Sequence, residues 1–161
     1  MSQKKKKITV KIELFNSDIA ATSARQSKKA GKAHEPSPVE IITEGFMKID
    51  GERLSVKYFE PAQFEMDKQM TSLSFEPANP DIVTMTRSGL CTTSLVFEAG
   101  KRYICAYSAF GANFELCVNT FSLSNTLTFE SGGRIKLSYS VENGGETVST
   151  VRMTVDVTPE E

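Results

Sequence analysis

The sequence predicts an all-β fold, an antiparallel up-and-down meander of about eight to ten strands that closes into a β-barrel. Apolar and polar residues alternate in short runs such as KITVKIELF and RIKLSYSVE. Turn signals separate these runs at regular intervals, and no segment keeps a helical period over three turns. Consecutive hairpins favour a barrel, because closure removes exposed strand edges. A sandwich of two packed sheets is the competing architecture.

Length and charge set the broad class of the protein. The chain has 161 residues, which fits one domain spanning 1–161 with its own hydrophobic core. Its formal net charge of −1 provides no general field for nucleic acid or an anionic membrane, and neither partner is expected. No apolar run approaches the roughly 18 residues that span a bilayer, and the basic start MSQKKKKITV lacks the apolar stretch of a secretory signal. The expected location is cytoplasmic.

The first three predicted strands follow from alternation and one hairpin. VEIITEGFMKI and ERLSVKYFE flank the Asp-Gly pair at 50–51, a two-residue hairpin signal. Pairing about this turn predicts Met47 opposite Leu54 and Gly45 opposite Val56, which keeps the apolar side chains of both strands on one side. The strand before them, KITVKIELF, places its aliphatic side chains on one face, namely Ile8, Val10, Ile12 and Leu14.

The middle strands continue the pattern. TSLSFEP and DIVTMTRSG are separated by the turn PANP, and CTTSLVFEAG and KRYICAYSAFG meet at Ala99-Gly100. In the next hairpin we predict that Cys105 does not face Cys117. The three cysteines, Cys91, Cys105 and Cys117, form no CxxC pair and are odd in number, so free, reduced thiols are expected, with no zinc site. The predicted pairing sets Tyr103, Cys105 and Tyr107 against Phe114, Leu116 and Val118.

The last strands and one long loop complete the order. TLTFESGGRIKLSYSVE predicts a hairpin that turns at Gly132-Gly133, and NGG at 143–145 precedes the final strand STVRMTVDVT. Residues 16–38 are polar, basic and poor in apolar periodicity, so they predict a mobile loop. The loop contains the only histidine, His34, but no aromatic residue that would stack on a base. A solvated loop is the favoured interpretation.

One cation interrupts the apolar face of a predicted strand. Arg87, in TMTRSG, shares a face with Val83 and Met85. A guanidinium that points inward needs a partner, because an unpaired buried charge is costly. Glu60 is the expected partner, since it shares the face of Tyr58 and also ends its strand.

All four tyrosines fall on predicted inward faces, and with Arg87 and Glu60 they form the candidate site. Buried phenols require hydrogen-bond partners, so this set predicts either a polar network that fixes the core or a ligand site. No nucleophile elbow, phosphate loop or metal-ligand cluster is present, so no catalytic residue, metal or cofactor is predicted. The tyrosines are Tyr58, Tyr103, Tyr107 and Tyr139.

The order and spacing of several elements resemble the YwiB-like family of uncharacterised bacterial proteins. The resemblance covers most of the chain and implies a calycin-like barrel, related in shape to lipocalins, in the bacterial cytoplasm. It implies no activity, although an arginine often helps to close one end of such barrels. The loop at 16–38 is longer than in the family, and Gly111 stands about one residue from the expected turn. The shared elements are TEGF at 43–46, YFE at 58–60, TRSG at 86–89, Tyr107, FEL at 114–116 with Thr120, and RIKLSY at 134–139.

Two functions fit these features. The first is a barrel without enzymatic activity that binds a small, largely apolar ligand in its interior, with Arg87 meeting an acid group. The second is a protein-interaction module with a solid core, in its simplest form a homodimer; the strand LCTTSLVFEAG, apolar on both sides, favours it. An enzyme ranks third, and its reacting group would combine Arg87, Glu60 and Tyr107.

Overall fold

The computed structural model describes residues 3–18, 39–59, 70–89, 91–109 and 111–160. Within these residues the secondary structure consists of ten β-strands, without a helix. The strands are β1 (Gln3–Asp18), β2 (Val39–Asp50), β3 (Arg53–Phe59), β4 (Met70–Glu76), β5 (Asn79–Ser88), β6 (Cys91–Glu98), β7 (Arg102–Ala109), β8 (Ala112–Asn125), β9 (Gly133–Asn143) and β10 (Glu146–Pro159).

The ten strands form one closed antiparallel barrel. Each strand pairs with its neighbours in the sequence, and β1 pairs with β10 to complete the ring. The closing ladder extends from Ile8 opposite Pro159 to Asp18 opposite Ser149. The predicted all-β meander is confirmed, and closure decides the architecture in favour of the barrel over the sandwich.

Large apolar side chains pack the middle of the barrel. Phe75, Phe97, Met47, Leu54 and Met85 are each at most 1% exposed. Complete burial of a side chain of this size contributes about 1.5–3 kcal/mol relative to exposure. The centre of the barrel is therefore a packed core.

Residues 126–132, which connect β8 to β9, cover one end of the barrel. Leu127 is 6% exposed and belongs to the core. Asn125 holds the segment in place: its Nδ2 donates to the carbonyl oxygen of Pro80 at 3.2 Å, and its Oδ1 accepts from the backbone N–H of Leu127 at 3.0 Å. This Asx turn ends β8, so TLTF is not the strand that the sequence predicted. We call this end the plugged end.

The opposite end carries the two longest connections, residues 19–38 and 60–69, and we call it the long-loop end. Both connections lie outside the described residues, and with them most of the predicted loop at 16–38. The first three residues of that loop belong to β1 instead. These residues continue the ladder with β10, in which Asn16 pairs with Val151 and Asp18 with Ser149. Ser149 Oγ also donates to Asn16 Oδ1 at 2.7 Å.

The β2–β3 hairpin corrects the predicted register by two residues. Met47 lies opposite Val56 and Gly45 opposite Tyr58, because the turn is formed by residues 51–52. Gly51 adopts φ +61°, a left-handed conformation that glycine tolerates. A shift of two residues keeps every side chain on its predicted face of the sheet.

The β7–β8 hairpin has the predicted register. Tyr103 pairs with Val118 and Cys105 with Leu116, so Cys117 lies opposite Ile104 instead of Cys105. Cys105 is buried, whereas Cys117 is half-buried, and both are free thiols. Burial raises the pKa of the Cys105 thiol.

No helix in the described part of the chain is both long enough and apolar enough to cross a membrane.

Candidate functional site

A row of polar side chains crosses the inner wall of the barrel. Four consecutive cross-strand pairs join Tyr58 to Thr71, Thr71 to Arg87, Arg87 to Thr93, and Thr93 to Tyr107. Side chains of directly opposed residues share one face of a sheet, about 5 Å apart at Cβ. We call these five residues the polar ladder; in it, Arg87 occupies the position between the two threonines.

The polar ladder runs obliquely from the interior toward the long-loop end. Thr71 is fully buried, and Tyr58 is 3% exposed. Arg87 and Tyr107, further along the ladder, are half-buried. Thr93, between them, is 6% exposed. The oblique course of the row follows from the tilt of barrel strands, since a row along the hydrogen-bond direction also climbs along the axis. The half-buried end of the ladder, at Tyr107, thus lies nearest the long-loop end.

Tyr139 faces the polar ladder from β9. Its ring packs on Phe97 with centroids 4.6 Å apart and is 6% exposed. Burial raises the pKa of its phenol, and the positive charge of Arg87 lowers it by a smaller amount. Arg87 and Tyr139 both lie on inward strand faces, and the charge of Arg87 acts on the phenol across the interior.

Thr120 adds a buried hydroxyl beside this phenol. It lies opposite Tyr139 in the β8–β9 ladder and is 1% exposed. Its Oγ1 has no hydrogen-bond partner among the described residues. A buried hydroxyl without a partner costs about 1–3 kcal/mol, so a water molecule or ligand atom placed there would be favoured.

The wall formed by β1 and β2 is aliphatic at the long-loop end. Leu14 lies opposite Val39, and Ile12 lies opposite Ile41. Val39 is 38% exposed and Leu14 is partly buried against the core. The interior at this end therefore has a polar wall, from β3 to β7, and an apolar wall.

The structure brings four of the six predicted site residues together and places a fifth, Tyr103, elsewhere. Arg87, Tyr58 and Tyr107 lie in the polar ladder, with Tyr139 facing it. Tyr103 lies elsewhere: it starts β7 near the plugged end, and its Oη donates to Glu98 Oε1 at 2.6 Å. This hydrogen bond to a carboxylate raises the pKa of Tyr103.

Glu60 lies outside the described residues, so its pairing with Arg87 stays a prediction.

The sequence analysis missed the threonines of the site. Thr71 shares its strand face with Leu73 and Phe75, and Thr93 shares its face with Leu95 and Phe97. A hydroxyl on an otherwise apolar face was the available signal. It was overlooked because threonine is also a common strand residue.

We expect Tyr139 to titrate above the ordinary tyrosine pKa of about 10. Its pKa is raised in the folded protein, so its contribution to stability is complete below about pH 10 and is lost as the pH rises through the folded pKa. Spectrophotometric titration of the native protein and of Tyr139→Phe measures this phenol by difference. A difference curve with its midpoint at or below pH 10 would contradict the burial.

The family model described as "Domain of unknown function (DUF1934)" matches residues 21–155. Among solved structures, the crystal structure of ywiB protein from Bacillus subtilis is similar at a TM-score of 0.73 and 21% sequence identity. The match covers 98% of this chain and 94% of that chain, and at this identity it shows a shared fold. No curated protein matches the sequence.

Proposed function

We propose that this chain, a member of the DUF1934 family of domains of unknown function, binds a small amphipathic carboxylate inside the long-loop end of its barrel. The family match and the shared fold confirm the predicted YwiB-like resemblance. One observation carries the proposal. The polar ladder sets Arg87 between Thr71 and Thr93 on one inner wall, and the wall formed by β1 and β2 is aliphatic.

The polar ladder has the chemistry of an anion site. A guanidinium presents paired N–H donors that match the two oxygens of a carboxylate. Thr71 and Thr93 supply hydroxyl donors on either side of Arg87, and both are buried. Water is scarce around buried hydroxyls, and a low local dielectric strengthens each charge-assisted hydrogen bond. Arg87 would bind the acid group, and the threonines would orient it.

The apolar part of the ligand is expected to lie against the aliphatic wall near the end of the barrel. The packed core, with Phe75 and Phe97 at most 1% exposed, fills the middle of the barrel. A short chain would instead cover Leu14, Val39 and Ile41. This arrangement favours a medium-length fatty acid or a similarly sized apolar acid over a long lipid.

Titration calorimetry with octanoate and 1-octanol tests the proposal, because the two probes share a chain length and differ in charge. We expect saturable octanoate binding. The alcohol should bind at least about 10-fold more weakly, since hydrogen bonds to a charged group contribute about 1.5–3 kcal/mol. Equal affinities, or no saturable octanoate binding, would count against the proposal.

The alternative is a solid barrel that acts through its outer surface, as a homodimer or with another protein. The specific observation in its favour is the outward side chain of Ile104, which is 75% exposed on β7. Native mass spectrometry separates the two functions in one run. A dimer mass without bound acid would favour the alternative, whereas a monomer carrying a small molecule that is lost on denaturation would favour the ligand-binding barrel.

We also propose a cytoplasmic location. The free thiols of Cys105 and Cys117 support it, because reducing compartments keep cysteines unpaired.

A further inference from the structure

The outer surface of β1, β2 and β3 contains a second feature, separate from the barrel interior. A groove of about 730 Å³ lies across these strands. Two phenylalanines in it are solvent-exposed, Phe46 by 41% and Phe59 by 52%. We call this surface the basic groove and define it by the two phenylalanines with Lys5, Lys7, Lys48 and Lys57.

The register of the strands surrounds one aromatic ring with cations. Phe46 lies directly between Lys7 on β1 and Lys57 on β3. The Nζ of Lys5 lies 4.2 Å from the centroid of the same ring. Phe59 lies two residues beyond Lys57 on the same outer face of β3, so the two rings are diagonal neighbours. Phe46 is thus surrounded by positive charge, and Phe59 lies beside it on the same surface.

The charges of the basic groove are not balanced within the groove. Lys5 and Lys48 lie directly opposite each other, an arrangement that destabilises a sheet. Two carboxylates also line the groove, Glu44 and Glu160, and Glu160 Oε1 accepts a hydrogen bond from Thr9 Oγ1 at 3.2 Å. Four lysines against two carboxylates leave an excess of positive charge, whereas the whole chain has a net charge of −1. An anionic partner would offset the repulsion between the lysines.

We propose that the basic groove binds single-stranded nucleic acid. Exposed aromatic rings accept unpaired bases by stacking, and lysines beside them bind the phosphates that follow along the strand. A charged lipid surface fits less well, because both rings lie on strand faces within a groove and not on a protruding loop that could enter a bilayer. A second copy of the chain fits less well too, since a symmetric contact would set lysines against lysines.

Fluorescence anisotropy with labelled oligo(U) and oligo(dT) of twelve nucleotides, at low salt, tests this proposal. We expect saturable binding that weakens as salt is raised, because counterions are released from the phosphates. Phe46→Ala and Phe59→Ala should each weaken binding by about 5-fold to 150-fold, the range for loss of one stacked base. Lys48→Gln should reduce the steepness of the salt dependence, by about 0.7 in the logarithmic slope for one phosphate contact.

Two control variants match these changes on other faces of the barrel. Phe121→Ala removes a phenylalanine that is 56% exposed on β8, and Lys101→Gln removes an exposed lysine in the β6–β7 turn. Both should leave binding unchanged. The proposal is overturned if neither oligonucleotide binds saturably, or if Phe46→Ala and Phe59→Ala bind as tightly as Phe121→Ala. It is also overturned if vesicles of phosphatidylglycerol bind the protein and the oligonucleotides do not.

Discussion

Arg87→Met is expected to weaken octanoate binding by at least about 30-fold while the barrel stays folded. Methionine keeps much of the length of the side chain but cannot pair with a carboxylate. Removing one partner of a hydrogen-bonded charge pair in a poorly solvated site costs about 2 kcal/mol or more. The variant should therefore bind octanoate no better than it binds 1-octanol.

Arg53→Met provides a matched control, because Arg53 is an exposed arginine near the plugged end that donates to Ser74 Oγ at 3.1 Å. It loses the same charge from the outer surface and should keep wild-type affinity. Arg87→Lys keeps the charge but loses the paired donors, so its affinity should be intermediate. Equal affinities in Arg87→Met and Arg53→Met would mean that Arg87 does not bind the acid group.

Gly45→Ala is expected to lower the free energy of unfolding by about 3 kcal/mol, the upper part of the range for overpacking a tightly packed site. A β-carbon at this position would overlap the carbonyl oxygen of Lys57 and come within 3.1 Å of Tyr58 Cβ. The glycine lets β3 approach β2 closely at the point where Tyr58 begins the polar ladder. Urea unfolding followed by circular dichroism measures the loss.

Gly100→Ala separates the steric effect from the conformational one. Gly100 has φ +79° in the β6–β7 turn, with no atom within 4 Å of an added Cβ. Its substitution costs only the strain of a left-handed alanine, about 1 kcal/mol. If Gly45→Ala cost no more than Gly100→Ala, the close approach of β2 and β3 would not be tight in solution.

Alternation along the sequence was sufficient to predict the barrel strands. Inward residues of β10 such as Val151, Met153 and Val155 are at most 5% exposed, as the period of two required. The wrong predictions lie at turns, where local backbone geometry and individual side chains decide the course of the chain. The β2–β3 turn lies one residue later than the Asp-Gly signal suggested, and the Asx turn of Asn125 converts a predicted strand into the plug. The first depends on the left-handed conformation of Gly51 and the second on the hydrogen bonds of Asn125, and the periodicity of a sequence specifies neither.

The candidate site was predictable only in part. The face of Arg87 followed from its spacing to Val83 and Met85, and this placement put Tyr58 and Tyr107 in the same interior. The continuous row through Thr71 and Thr93 depends on the register of four successive hairpins. One residue of error in any of them would break the row.

The basic groove could not be predicted from the sequence either, because it too depends on the pairing of strands. Phe46 and Phe59 are distant in sequence from the N-terminal lysines, and only the β1–β2 pairing brings Lys5 and Lys7 beside Phe46. The expectation that nucleic acid would not bind rested on the net charge of −1 of the whole chain and on the absence of aromatic residues within the basic segments of the sequence. Pairing of distant strands supplies those residues.

The most direct test of the ligand-binding account is a titration of the ¹⁵N-labelled protein with octanoate, followed by two-dimensional NMR of the backbone amides. The account predicts saturable shifts at the polar ladder, with the largest at Thr71, Arg87 and Thr93. The amide resonances of the outer basic groove, such as those of Phe46 and Lys48, should not shift. Absence of saturable shifts at the ladder, or shifts confined to the basic groove, would contradict an acid site inside the barrel.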